Sequence, residues 1–77
     1  MKINLSTTIL YSISSSGFVA LKLYNLLGME IQTLVNEFQN VGTHSIKFDA
    51  KDLSSGIYIY KLKTKNFIDI KKMISLR

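Results

Sequence analysis

Apolar and polar side chains alternate along most of the 77-residue chain. Successive side chains of a β-strand point to opposite faces, so an alternating pattern predicts a strand with one buried face. β-branched and aromatic residues, which favour strands, are common in these stretches, and no stretch has a convincing helical period. The pattern predicts six strands, over residues 7–13, 18–24, 30–35, 42–49, 57–63 and 67–76.

The alternation also predicts which side chains share a face. In the first strand these are Ile9, Tyr11 and Ile13. The expected core positions of the later strands are Val19, Leu21 and Leu23, then His44, Ile46 and Phe48, then Tyr58, Tyr60 and Leu62, and finally Ile68, Ile70, Ile74 and Leu76. Lys72 interrupts the last set, which would require a bulge, a path to water for its ammonium group, or a position beyond the sheet. We therefore expect the last strand to be paired less firmly than the strand of Tyr58.

Polar and glycine-containing stretches separate the predicted strands. They are a loop of hairpin length at 14–17, a turn at 25–28, a polar loop at 36–42 and a hairpin turn at 64–66. Within 30–35, Ile31 and Leu34 cannot share a face of a regular strand. A β-bulge or a helical turn would reconcile them, and the strand with a bulge is the preferred interpretation.

The residues before the fifth strand have the pattern Leu53-x-x-Gly56-x-Tyr58. This is typical of a tyrosine corner, in which a Tyr near the start of a strand bonds to the backbone of the preceding loop. Six short strands at regular spacing together with this corner predict an all-β fold. We expect a small immunoglobulin-like antiparallel β-sandwich of about six to seven strands, as a single domain over residues 1–77.

Composition excludes several classes of protein. The chain has no cysteine, which excludes a disulfide scaffold. No apolar run reaches the ~18 residues of a transmembrane helix, and the first residues lack the apolar region of a signal peptide. The net charge of +5 lies entirely in residues 61–77. Such a basic segment attracts anionic partners, but lysines also keep a terminal strand from pairing with other chains.

The sequence offers little for catalysis or for binding a cofactor. His44 is the only histidine and lies on an expected core face, where a packing role is favoured. The serines at 14–16 and 54–55 lie in turns without a neighbouring base. Asp49 and Asp52 supply fewer oxygens than calcium needs. The tyrosines are expected to face the core, which leaves mainly Phe67 to stack on a nucleic-acid base. We expect no enzyme activity, no cofactor, no metal and no nucleic-acid partner.

Six motifs in order resemble one family. They are Ser6-Thr-Thr-Ile, Val19-x-Leu-x-Leu-Tyr-Asn-Leu-Leu-Gly28, Leu34-Val-Asn36, Gly42-Thr-His-x-Ile-x-Phe-Asp-Ala50, Leu53-Ser-Ser-Gly-Ile-Tyr58 and Lys71-Lys-Met-Ile74. Together they resemble the type A C-terminal sorting domain of the type IX secretion system. The resemblance implies an immunoglobulin-like sandwich at the C-terminus of an exported protein. It also implies outer-membrane translocon and sortase partners, attachment of the cargo to anionic lipopolysaccharide, and localisation of the full-length protein at the cell surface or outside the cell.

The resemblance places the export signal near the C-terminus, with Lys71, Lys72, Met73 and Ile74 as the candidate residues. Family members usually begin with a segment like Asn-Pro-Phe-Asn-Pro, whereas this chain has no proline and begins Met1-Lys-Ile-Asn-Leu5. The chain therefore resembles a piece of a longer protein, and an absent first strand would leave an edge open to self-association by strand exchange. The alternative is a structural or interaction module similar to the flagellar hook-capping domain or an adhesin domain.

Overall fold

A computed structural model describes residues 2–3, 6–49 and 53–75. Within these residues the chain forms seven strands. They are β1 (Lys2–Ile3), β2 (Ser6–Ile13), β3 (Gly17–Asn25), β4 (Glu30–Gln39), β5 (Gly42–Asp49), β6 (Gly56–Lys63) and β7 (Ile68–Ser75). The prediction of an all-β fold is confirmed.

The strands form two sheets that enclose one core. The larger sheet has the order β1-β7-β6-β3-β4, and the smaller sheet consists of β2 and β5. All pairings are antiparallel except that of β1 with β7, which is parallel. The core contains residues of both sheets, among them Ile9, Tyr11, Ile13, Val19, Leu21, Leu23, Val35, Phe48, Tyr58, Tyr60, Leu62 and Met73. The chain is therefore a two-layer β-sandwich.

The predicted inward faces of β3 and β6 are confirmed, because their alternating apolar residues are buried. The bulge in the third predicted strand is confirmed as well. Leu21 is paired with Val35 but the next residue, Lys22, is paired with Thr33, so Leu34 is an extra residue. A second irregularity follows between Leu23 and Tyr24. These bulges let Val35 be buried and Leu34 pack against the core although they are adjacent in sequence.

The predicted loop at 14–17 is confirmed over residues 14–16, but it does not make the connection that its hairpin length suggests, and the predicted loop at 36–42 is wrong. Residues 14–16 do not close a hairpin, because β2 pairs with β5 while β3 pairs with β4 and β6. They carry the chain from one sheet to the other. The polar loop at 36–42 is mostly strand, since β4 continues to Gln39. Hydrogen bonds join the connections at this end of the sandwich, from the Val41 amide to Ser16 Oγ at 2.9 Å and from Asn66 Nδ2 to Ser15 Oγ at 3.0 Å.

The predicted core face of β7 is wrong for Ile68, Ile70 and Ile74, and Leu76 lies outside the described residues. Met73 is completely buried, whereas Ile68 and Ile70 are about 60% exposed, at 58% and 61%. The ladder with β6 is the reason. Tyr58 is paired with Met73, and directly paired residues in neighbouring strands point to the same face. Lys72 therefore lies on the outer face with the isoleucines, and the ladder passes it without the bulge that its position seemed to require.

Candidate functional site

The predicted export residues lie in consecutive positions of β7, but they do not form one surface. Met73 points into the core and Ile74 points outward. Lys72 is exposed on the outer face, while Lys71 is paired with Tyr60 and lies on the inner side. There Lys71 and Asp69 border a small cleft of about 140 Å³ between the two sheets. A partner that contacts both lysines must therefore reach around the strand.

Strand β7 lies next to the edge of the larger sheet. On one side it is paired with β6 along its whole length, from Ile68 to Ser75. On the other side the two-residue strand β1 is aligned with Ile74 and Ser75. Most of that outer side of β7 lies beyond the ladder formed by the described residues. An edge of this kind is where an additional strand can be added.

The residues of the predicted corner come together before β6. The Tyr58 hydroxyl donates a hydrogen bond of 2.8 Å to the backbone carbonyl of Ser54. Leu53 is buried in the core, and Gly56 has a φ of +155°, which residues with a Cβ rarely adopt. The Tyr58 bond is the contact expected from the sequence, and its contribution to stability stays a prediction.

The contacts that His44 makes fit a structural role. Its ring stacks on that of Tyr11, with centroids 5.6 Å apart, and its Nε2 lies 2.7 Å from the Asn40 carbonyl oxygen. In the part of the chain that the structure describes, no three His, Asp or Glu side chains lie close enough to hold a metal ion. Asp52, one of the two carboxylates considered for calcium, lies outside the described residues.

Two of the grooves on the outer face of the larger sheet lie beside exposed apolar residues. One has a volume of about 450 Å³ and is bordered by Phe18, Lys22 and Lys63. The other has a volume of about 270 Å³ and lies between the turn after β3 and strands β6 and β7. Tyr24 borders this second groove, so the expectation that the tyrosines face the core is wrong for this residue. Such a face can bind a partner, because both apolar and cationic side chains are accessible on it.

Comparison with known families decides what the chain is. The family described as the secretion system C-terminal sorting domain matches residues 2–76. The chain belongs to this family. No curated protein matches the sequence. The resemblance seen in the six motifs is thereby confirmed, and the chain is a C-terminal sorting domain of the type IX secretion system.

The sorting domain marks proteins that are exported to the cell surface or secreted across the outer membrane, and it interacts with the secretion machinery. Within its described residues, no helix is long and apolar enough to cross a membrane. The groove of about 270 Å³ beside the turn after β3 was not predicted from the sequence of the sorting domain. The available indication was Leu26-Leu-Gly-Met29, because large apolar residues inside a tight turn have little access to a core.

Proposed function

We propose that the sorting domain acts without catalysis and directs a fused cargo protein across the outer membrane through the type IX secretion system. The observation that carries this proposal is the family match, which extends from residue 2 to residue 76 and so includes every strand of the sandwich. The match favours sorting over the alternative of a hook-capping or adhesin-like module. The proposed partners are the outer-membrane translocon and the sortase.

In this proposal the translocon recognises the segment around Lys71, Lys72, Met73 and Ile74 by pairing a strand with the outer edge of β7. Main-chain hydrogen bonds would supply affinity, and the side chains that alternate across the new pair would supply specificity. The position of β7 beside the two-residue β1 supports this mode of binding. The exposed lysines add attraction to anionic groups, including those of lipopolysaccharide.

A reporter with a signal peptide, fused to the sorting domain in a host with the secretion system, tests the proposal. Surface exposure of the reporter should require both the sorting domain and a functional secretion system. A reporter that reaches the surface equally well without the domain would contradict the proposed function.

The role of the β7 segment needs substitutions, since removing residues 71–77 would also remove the buried Met73 and Ser75. Lys71→Ala combined with Lys72→Ala should lower surface exposure of the reporter while the thermal melt is retained. Lys47→Ala combined with Lys65→Ala is the matched control, because both residues are exposed and lie outside β7. Equal export of the two double variants would show that the β7 lysines only protect the strand from aggregation.

A further inference from the structure

The outer face of β6 and β7 combines isoleucines with lysines. Along the ladder, Ile57 is paired with Ile74, Ile59 with Lys72, Lys61 with Ile70 and Lys63 with Ile68. Paired side chains point to the same side, so these isoleucines and lysines share the outer face. Ile68, Ile70 and Ile74 are all exposed. Large apolar side chains that are exposed and bordered by charged residues in this way are typical of an interaction site.

The turn after β3 extends this surface and is held in one conformation. Asn25 Oδ1 accepts hydrogen bonds from the amides of Leu27 at 2.9 Å and Met29 at 3.0 Å. The Gly28 amide donates to the Asn25 carbonyl at 3.0 Å, and Gly28 has a φ of +86°. Leu26 and Leu27 are 62% and 83% exposed in this ordered turn. Burying them in a partner requires little ordering of the backbone, so binding is less costly.

A groove lies where the turn meets the sheet. It is bordered by Tyr24, Leu26, Ile59, Lys61 and Ile70, together with Asn25 and Gly28, and its volume is about 270 Å³. A Cβ added to Gly28 would contact nothing within 4 Å, so the groove is open on that side. The volume is below that of most cofactor sites and suits a single large side chain.

The charged residues around the groove indicate what kind of partner can bind there. Lys61 Nζ lies 5.4 Å from the centre of the Tyr24 ring, at the border of the groove, and Lys63 follows on the same face. The Glu30 carboxylate already forms a salt bridge of 3.3 Å with Lys22 Nζ and accepts a hydrogen bond of 3.0 Å from the Thr33 hydroxyl. Asp69 is paired with the buried Leu62, so it lies on the inner side of β7. A second copy of the chain would bring lysines against lysines, whereas an acidic partner would be attracted.

We propose that this groove, distinct from the edge of β7, is a docking site for a protein of the secretion machinery. The partner inserts an apolar side chain between Leu26 and Ile70 and places acidic residues against Lys61 and Lys63. The inference rests on the proposed function and adds a second contact to it. The secretion machinery would then make two contacts with the domain, one by strand pairing with the edge of β7 and one at the groove on the outer face beside it.

Export of the reporter fusion tests the site with matched variants. Leu26→Ser removes an apolar residue of the groove, and Leu10→Ser removes one that is 70% exposed on β2, in the other sheet. Lys61→Glu reverses a charge at the groove, and Lys47→Glu reverses one on β5. We expect both groove variants to lower surface exposure by about tenfold, the effect of losing a central anchor residue, while the controls stay within about twofold of the parent.

Thermal melts of the purified fusions establish that each variant is folded. Leu26 and Lys61 are not core residues, and Lys61→Glu tests the site independently if Leu26→Ser disturbs the turn. Folded groove variants that are exported like the parent would overturn the inference. Lys61→Ala should impair export less than Lys61→Glu, because only the glutamate repels acidic residues. Equal loss of export in Lys61→Ala and Lys61→Glu would contradict the proposal that the partner is acidic.

Two further outcomes separate this inference from its alternatives. If the parent fusion itself stays inside the cell, the proposed function fails, whereas normal export of the groove variants alone refutes only the docking site. Vesicles of phosphatidylethanolamine and phosphatidylglycerol test a lipid surface as the occupant. Flotation of the parent fusion with these vesicles, and its loss in Leu26→Ser, would replace the protein partner by a membrane. We expect no flotation.

Discussion

The hydroxyl of Tyr58 joins β6 to the segment that precedes it, through its 2.8 Å hydrogen bond to the Ser54 carbonyl. Tyr58→Phe keeps the ring in the core and leaves that carbonyl without its donor. We expect the variant to lose about 1–3 kcal/mol of unfolding free energy, the cost of an unpaired and partly buried acceptor. Urea unfolding of the two proteins, followed by circular dichroism, measures the difference.

Tyr24→Phe is the control for this prediction, because the Tyr24 ring lies on the outer face of the sheet and borders a groove. Its unfolding curve should stay close to that of the parent protein. Curves of Tyr58→Phe and the parent that overlay would show that the corner bond contributes nothing to stability.

Tyr60 links stability to alkaline pH. Burial raises the pKa of Tyr60, and the carboxylate of Asp69 raises it further. The pKa of the folded state therefore lies above the unfolded value of about 10. The folded protein holds this proton more tightly, so the contribution is complete below the unfolded pKa and is lost as pH rises through the folded pKa. Melting temperatures between about pH 9 and 12 should fall less in Tyr60→Phe than in the parent. Parallel profiles would contradict this linkage.

At the scale of the element, the turn after β3 depends on one side chain. Asn25 Oδ1 satisfies two backbone amides, those of Leu27 and Met29. Asn25→Ala should lower the unfolding free energy by roughly 1 kcal/mol or somewhat more, because both amides must find water instead. Asn36→Ala, at an exposed position of β4, is the control. Hydrogen exchange of the Leu27 and Met29 amides should accelerate in Asn25→Ala only, and unchanged exchange would refute the role of this side chain.

The elements differ in how well the sequence predicts them. In β3 and β6 one phase of the alternation is apolar without interruption, whereas the other phase contains lysines, so the uninterrupted phase faces the core. In β7 the isoleucines lie in one phase and Met73 in the other, and the partner strand decides between the phases. That choice is made by the register of the β6–β7 hairpin, which the alternation within β7 alone does not record. Residues 14–16 resemble a hairpin loop although they cross between sheets, because β2 pairs with the distant strand β5.

The candidate site, like the strands, could be predicted from the sequence only in part. Lys71 to Ile74 could be named only through the family resemblance, and the structure distributes their side chains over two faces and the core. The groove beside Leu26 could not be predicted, since it depends on how the turn lies against β6 and β7. The apolar residues of the turn were visible in the sequence, but their exposure was not.

At the scale of the whole molecule, several strands have a single neighbour among the described residues. Within these residues β4 is paired only with β3, and β2 and β5 are paired only with each other. Such edges expose backbone groups that can pair with another chain. We expect the isolated domain to self-associate by strand pairing at high micromolar concentration, and more strongly with added salt, which screens its net charge of +5.

Light scattering coupled to size exclusion, at two salt concentrations, measures this association. The mass should exceed that of the 8.8 kDa monomer and should rise with salt. A monomer mass at every concentration and at both salt levels would refute self-association by open edges.

The parallel pairing of β1 with β7 joins the first strand along the chain to the last. A ribosome makes the chain from its amino end, so β1 exists before the strand beside which it belongs. The larger sheet therefore cannot be completed during synthesis of the strands between them. The pairing of β1 with β7 can form only after residue 75 has been made, and until then β1 lacks the neighbour that it has in the folded sandwich. The earliest moment at which the larger sheet can be complete is thus limited by its own topology.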